Sequence, residues 1–524
     1  MKHFLLLFLA TLLVACNSKT GRMNYQSHQE LMGKTDPKVP PYLKAHAKDG
    51  SLCILSNVWK IDTTQQYLVG EGEKYDAKRN LLQKGKLQIL LDSVAIFETN
   101  QKINKENWRV ATLSILTGLD VALGIFCLSN PKACFGSCPT FYLYENEENV
   151  HYANAEGFST AISPSMEQFD LDALNNDRIL NHHFAITMKN EALETHCVNA
   201  VNLYAYPRKE GEKVYHNRND QFYLCKNIYP IHEAFGPEGD ISSLLRKRDQ
   251  VERRSVADSA NMSAKEILYL NFDSVHETKN LGLVLNFRQT LMTTYLIYNA
   301  LAYMGDRVGD IFAKVENEHL DNQLENGIKK ELGDIEVQLW DDLHQKWVHQ
   351  GSWYETGPIA YNQQILKLNN ESGSHKVKLR FILNKGLWKL DYAALTNIQS
   401  QVEPMVIVPT KVMNRGLVDT AALEAIKDHK KYVVSMPGDV YQFQYELPTQ
   451  HEDYELFLYS KGYYLEWMRA HWLKEKNLWK LNQLINHPKK YLQSEAKNYK
   501  QYEGFMEAEF WNSKINAKNF TYHD

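Results

Sequence analysis

KVKLRFILNKGLWKLDYAAL, residues 376–395, consists of two apolar-rich runs hinged on Lys385-Gly386. Val377, Leu379, Phe381 and Leu383 recur at a period of two, with Lys378 and Arg380 between them, which is the spacing of a strand with one buried face. After the glycine turn, LWKLDYAAL reads as a second strand. IEVQLWDD, KWVHQGSWYE and QQILKLN, just upstream, are further short strands with Gly and Asn turns between them. Short strands at close, regular spacing predict a β-sandwich over 333–462, to which DVYQFQYELP and YELFLYS add strands.

Upstream, a first β-rich unit over 49–287 carries the cysteines. CILSNVWKI, KLQILLDSVAIF, HHFAITMKN, HCVNAVNLYAY, QFYLCKN, KEILYLNF and LGLVLNF are its strands, and TFYLYE with VHYANAEGFS reads as a hairpin within 140–160. The charged, turn-rich stretch 236–262 reads as a surface excursion. RQTLMTTYLIYNALAYMG, 288–305, repeats apolar residues at helical spacing and ends at Gly305, so 288–332 is expected to be a helical connector. From Leu465 the pattern turns helical, with a break at Pro488, so 463–524 is read as C-terminal helices packed back by their Trp and Tyr. The expected fold is mainly β: two β-sandwich-like units joined by a helix-containing segment, with a helical C-terminal region. VATLSILTGLDVALGIFCL, 110–128, just reaches membrane-span length, but Asp120 near its centre favours a buried helix or strand pair.

The first residues give an address. Lys2, the apolar run Phe4 to Leu13 and the sequence Leu13-Val14-Ala15-Cys16 make a secretory leader over 1–15. Cys placed directly after Val-Ala resembles a bacterial lipobox, which implies acylation of Cys16 and anchoring by its lipid chains. Asn17, rather than Asp, favours the outer membrane within a bacterial cell envelope. The polar stretch 16–48, with Pro37, Pro40 and Pro41, reads as a tether. Loss of Lys2 with the leader takes the formal net charge from −4 to −5. With no basic stripe and an exported address, nucleic acid is excluded as a partner. Membrane contact through the lipid is expected, with a glycan or other envelope proteins as further partners.

Several segments together resemble a family of large exported bacterial lipoproteins with no known activity. They are KACFGSCPTFY, AEGFSTAISPSMEQFDLDAL, NEALETH, FRQTLMTTYLIYNALAYMG, PGDVYQF and GYYLEWMRAHWLKEKN. The resemblance covers nearly the whole mature chain and implies no reaction. NEALETHCVNAVNLYAYPR is also similar to strand pairs in β-sandwich modules of other extracellular proteins.

Three groups of residues carry chemistry worth weighing. Cys134 and Cys138, spaced as Cys-x-x-x-Cys-Pro, resemble copper-handling thiols, and soft thiolates at that spacing select Cu(I). The strand-like run after Pro139 denies them the helix N-terminus that lowers thiol pKa, so a disulfide clasping the Phe-Gly-Ser turn is the preferred expectation. Glu156, Glu167, Asp170 and Asp172 offer the oxygens that calcium takes, although solvated turn acids explain them as well. His182, His183, Glu194 and His196 suggest an open zinc site, to which only one of the adjacent histidines could contribute. No nucleophile elbow, zincin motif or phosphate loop is present. The expected function is therefore a non-catalytic binding or scaffold role, with an envelope-polymer hydrolase or a thiol/copper protein on Cys134 and Cys138 as the alternative.

Overall fold

The computed structural model describes residues 24–26 and 42–47 and, with short interruptions, 51–99 and 138–512. Cys16, Cys134 and the 110–128 segment lie outside the described residues. The chain is mainly β, in antiparallel sheets, with most helices toward the C-terminus. Among the described residues no helix is long and apolar enough to cross a membrane.

An N-terminal sheet runs in the order Asn24–Gln26, Val94–Thr99, Tyr42–Ala47, Leu52–Asp62, Tyr67–Tyr75, Leu81–Leu90. It has its own core of Leu43, Ala45, Cys53, Leu55, Leu68 and Leu87. Two of its strands fall within 16–48, so part of the expected tether is sheet.

The two expected sandwiches are present as packed sheet pairs, but they are nested rather than serial. In the first, one sheet pairs Val440–Glu446 with His183–Lys189, and then Thr140–Tyr142 with Ala155–Glu156. The facing sheet pairs Glu194–Pro207 with Tyr454–Glu466, which in turn pairs with Gln168–Ala173. The Tyr445 hydroxyl donates to the Val201 carbonyl at 3.0 Å, joining the two layers. The second sandwich lies wholly within 213–402. Phe287 of one layer meets Trp353 of the other at 5.9 Å, and Trp353 meets Phe381 at 6.1 Å. Residues 213–402 are thus an insertion between the two halves of the first sandwich, and the boundaries drawn at 288 and 333 separate neither sheet pair. Val440–Glu446 and Tyr454–Glu466, expected to extend the second unit, complete the first. Their apolar faces match strands more than two hundred residues upstream, a partnership set by tertiary packing rather than by local pattern.

The helix Met292–Met304 stops at Gly305, whose φ of 56° and contact with Lys476 exclude a side chain there. Tyr295 of this helix meets Tyr499 at 5.1 Å, and Tyr298 meets Trp472 at 4.9 Å, so the C-terminal region does pack back through its aromatics. The strand Tyr454–Glu466 runs past 463, however, and the described helices resume only at Leu478–Asn486. Within the expected surface excursion, Arg253 is fully buried and forks onto Glu266 and Glu238. The outer face of the first sandwich's Tyr454–Glu466 sheet packs on the inserted sandwich through Phe457, which meets Phe222 at 5.0 Å and His216 at 5.7 Å. This contact sets the junction where the candidate site lies.

Candidate functional site

The acids of AEGFSTAISPSMEQFDLDAL part company in the fold. Glu156 is buried; its Oε2 accepts the N–H of Ala360 at 2.7 Å and that of Ile359, and its Oε1 accepts the Cys138 thiol at 3.2 Å. Its own N–H donates to Asp172 Oδ2 at 3.2 Å. The carboxylate so joins the first sandwich to the insertion, beside the parallel bridge between Ala153 and Ala360. Its oxygens fill the space that a Cβ on Gly357 would need. Burial pushes Glu156 up from the ordinary carboxylate range, and the N–H bonds from Ala360 and Ile359, with Arg288, pull it only partly back. Burial also pushes Asp172 well up, and Asp170 and Glu156 add to the shift by repulsion.

Glu167 turns elsewhere, accepting the Tyr432 hydroxyl at 2.8 Å with Lys461 Nζ at 3.9 Å. Among the described residues no three His, Cys, Asp or Glu side chains gather as a metal-holding group. The calcium quartet is not assembled, because Glu156 is engaged by N–H and S–H donors and Glu167 by Tyr432. Cys138 is a free, buried thiol where a bond to Cys134 was expected. Burial, and the carboxylates of Glu156 and Glu194, push its pKa well above the usual thiol value. A thiol held protonated in this way is a weak nucleophile. The zinc expectation also fails to assemble: Glu194 and His196 lie 3.0 Å apart in the core, while His183 is exposed in the other sheet.

Asp170 is different. With Gln168 and Phe169 it forms one wall of a cleft of about 260 Å³ where the two sandwiches meet. The other wall is His216, Arg218 and Asp220, at the tip of the hairpin joining Lys213–His216 to Phe222–Pro230, together with Asn362. The sequence HNRNDQ forms this tip because Asn217 Oδ1 accepts the N–H groups of Asn219 and Gln221, and Asp220 takes a φ of 57°. Arg218 pins the tip to the neighbouring strand by donating to the Ser352 carbonyl at 3.1 Å and its hydroxyl at 3.0 Å. The Arg218 guanidinium lies 5.4 Å, and the Lys329 ammonium 5.2 Å, from the centre of the Tyr354 ring at the cleft's end. Below, Phe169 stacks on Tyr459 at 5.2 Å, and Tyr459 on Tyr204 at 5.4 Å with ring planes 4° apart.

His216 Nε2 and Asn362 Oδ1 are enclosed beneath this cleft, with the Asn362 side chain beside the His216 ring. Both residues are buried. Burial pushes the His216 ring down to about 4, against the weaker pull of the Asn217 carbonyl and the nearby Asn362 side chain. The ring is therefore neutral at physiological pH, offering one donor and one acceptor. Burial also raises the Asp220 carboxyl. The cleft thus combines neutral donors and acceptors, two carboxylates, two cations and flat rings.

Sequence reasoning found Asp170 but missed His216, Asp220 and Asn362. HNRNDQ carried a turn signal only, and nothing local places Asn362 opposite it.

No family model and no curated protein matches the chain. Among solved structures, BuGH86wt in complex with neoagarooctaose is 8% identical, with a TM-score of 0.16, over 44% of this chain and 34% of that one. The secreted serine protease VesC from Vibrio cholerae is 8% identical, with a TM-score of 0.13, over 67% of this chain and 63% of that one. The chain spans less than two thirds of either protein's length, and scores this low carry no argument about fold or activity.

Proposed function

We propose that this is a lipid-anchored bacterial envelope protein that binds a saccharide in the junction cleft without transforming it. The observation that carries the reading is the lining of the cleft, where the Asp170 and Asp220 carboxylates and the Gln168 amide stand beside the rings of Phe169 and Tyr354. A sugar hydroxyl, both donor and acceptor, can bond to carboxylate and amide groups of this kind. Phe169 and Tyr354 supply ring faces for the apolar side of a pyranose. The anchor is Cys16, by the lipobox that precedes it.

One observation favours a second reading, an envelope-polymer hydrolase. Asp170 and Asp220 line the same cleft, and burial raises Asp220 as a general acid requires.

Calorimetric titration of the mature protein with neutral oligosaccharides separates the readings. Binding that is lost in both Asn362→Ala and Asp220→Asn, without release of reducing ends, supports the binding role. Reducing ends released by the wild type but not by Asp220→Asn would assign a hydrolase. No binding by the folded wild type would overturn both readings. Cys16→Ser should abolish labelling by a fatty-acid analogue and release the protein from membranes; unchanged labelling would refute the anchor.

A further inference from the structure

We infer that the ligand is an extended, uncharged polysaccharide whose chain leaves the junction cleft and continues over the outer face of the inserted sandwich. This rests on the binding role proposed above and names the ligand class.

The first observation is continuity. Arg218 lines both the cleft and a neighbouring polar pocket of about 400 Å³, and His349 lines the far side of that pocket. His349 is the first of a row that crosses the sheet on its outward face. Register places His349 opposite Gln338, Gln338 opposite Arg380, Arg380 opposite Tyr269, and Tyr269 opposite Phe235. Directly paired residues share a face, so these five side chains form one line. Across five strands at about 4.8 Å spacing the line covers roughly 19 Å, the length of several sugar rings.

The second observation is what stands on the line. Trp347 meets Tyr269 at 6.0 Å and Trp340 edge-on at 5.3 Å, and the Arg380 guanidinium lies 4.8 Å over its ring. Arg380 Nε donates to Gln338 Oε1 at 2.6 Å, which holds the cation and the amide in place. Tyr269 is 42% exposed and Phe235 41%. A contiguous set of braced, solvent-facing rings interleaved with donors and acceptors is a recognition surface rather than scattered apolar exposure. The rings offer their faces to sugar C–H groups, while His349, Gln338 and Arg380 reach the hydroxyls.

The third observation concerns charge. Arg218 and Lys329 sit on Tyr354 and Arg380 sits on Trp347, while Asp170, Asp220 and Glu336 alternate with them along the same path. Lys367 adds a cation in the connecting pocket, so both signs occur along the path and steering of a polyanion is weak.

The test uses the mature protein with soluble β-glucan, xylan and mannan and with their oligosaccharides from disaccharide to octasaccharide. Affinity should climb with chain length for the polymer that binds. Trp347→Ala and Tyr269→Ala should weaken octasaccharide binding about tenfold or more, with the disaccharide unchanged, and Trp347→Phe should retain most of the affinity. Folding is checked by the thermal transition of each variant. If both alanine variants match the wild type on the octasaccharide while Asn362→Ala abolishes binding, the outer face plays no part and only the cleft reading survives. If no saccharide of any length binds the wild type, both fail. Preference for a sulfated polymer, lost at high salt, would overturn the uncharged ligand class.

Discussion

Removing the Glu156 carboxylate should destabilise the protein by about 3–5 kcal/mol in Glu156→Ala, and by about 1 kcal/mol in Glu156→Gln. The alanine variant leaves the N–H groups of Ile359 and Ala360 buried without an acceptor, at about 1–3 kcal/mol each, and removes the partner of the Cys138 thiol. It also opens a void against Gly357. Glutamine keeps one oxygen for the two N–H donors and lets its amide face the sulfur. The pH dependence carries a sign that can be checked. Burial raises the folded Glu156 above its unfolded value, so its contribution is fully present below the unfolded carboxylate pKa of about 4.3. That contribution declines as pH rises through the folded value. The difference between wild type and Glu156→Gln should therefore narrow with rising pH. Denaturant unfolding followed by tryptophan fluorescence measures both quantities. A loss below about 1 kcal/mol in Glu156→Ala would refute the structural role, given the orphaned N–H groups it should leave. Calcium that stabilises the wild type but not Glu156→Gln would restore the metal reading.

Two further outcomes are expected. His216 is held down to about 4 by burial, so the unfolded chain binds its proton first, and stability is lost as pH falls from about 6.5 toward 4. The loss amounts to about 3 kcal/mol and should be absent in His216→Gln, as read from thermal melts across that window. Burial would raise Glu507, but Arg288 and Lys389 outweigh it and hold the carboxyl at about 2. Glu507→Gln takes one of the carboxylates from the buried Arg288 and Lys389, so it should cost about 2–4 kcal/mol and expose the C-terminal helix Met506–Asn512 to limited proteolysis. Wild-type stability and cleavage rate in that variant would refute the ion cluster.

Some features of this chain were written locally. The period-two run Val377, Leu379, Phe381, Leu383 became a strand with those residues inward, and Gly305 ended its helix, because backbone sterics and side-chain alternation act over a few residues. Strand partnership was not readable. His183–Lys189 pairs with Val440–Glu446, and Glu194–Pro207 with Tyr454–Glu466, across an inserted sandwich. Many apolar strand faces are mutually compatible, and only closing the whole core selects among them. Depth was hidden for the same reason. Asp170 and Asp172 are two apart on one strand and share a face, yet Asp172 is buried beside Glu156 while Asp170 lines a cleft. Alternation fixes the direction in which a side chain points; what it meets there depends on how the second sandwich docks. That docking brought His216, Asp220 and Asn362 to Asp170, and so made a site from residues that carry no shared signal in the sequence.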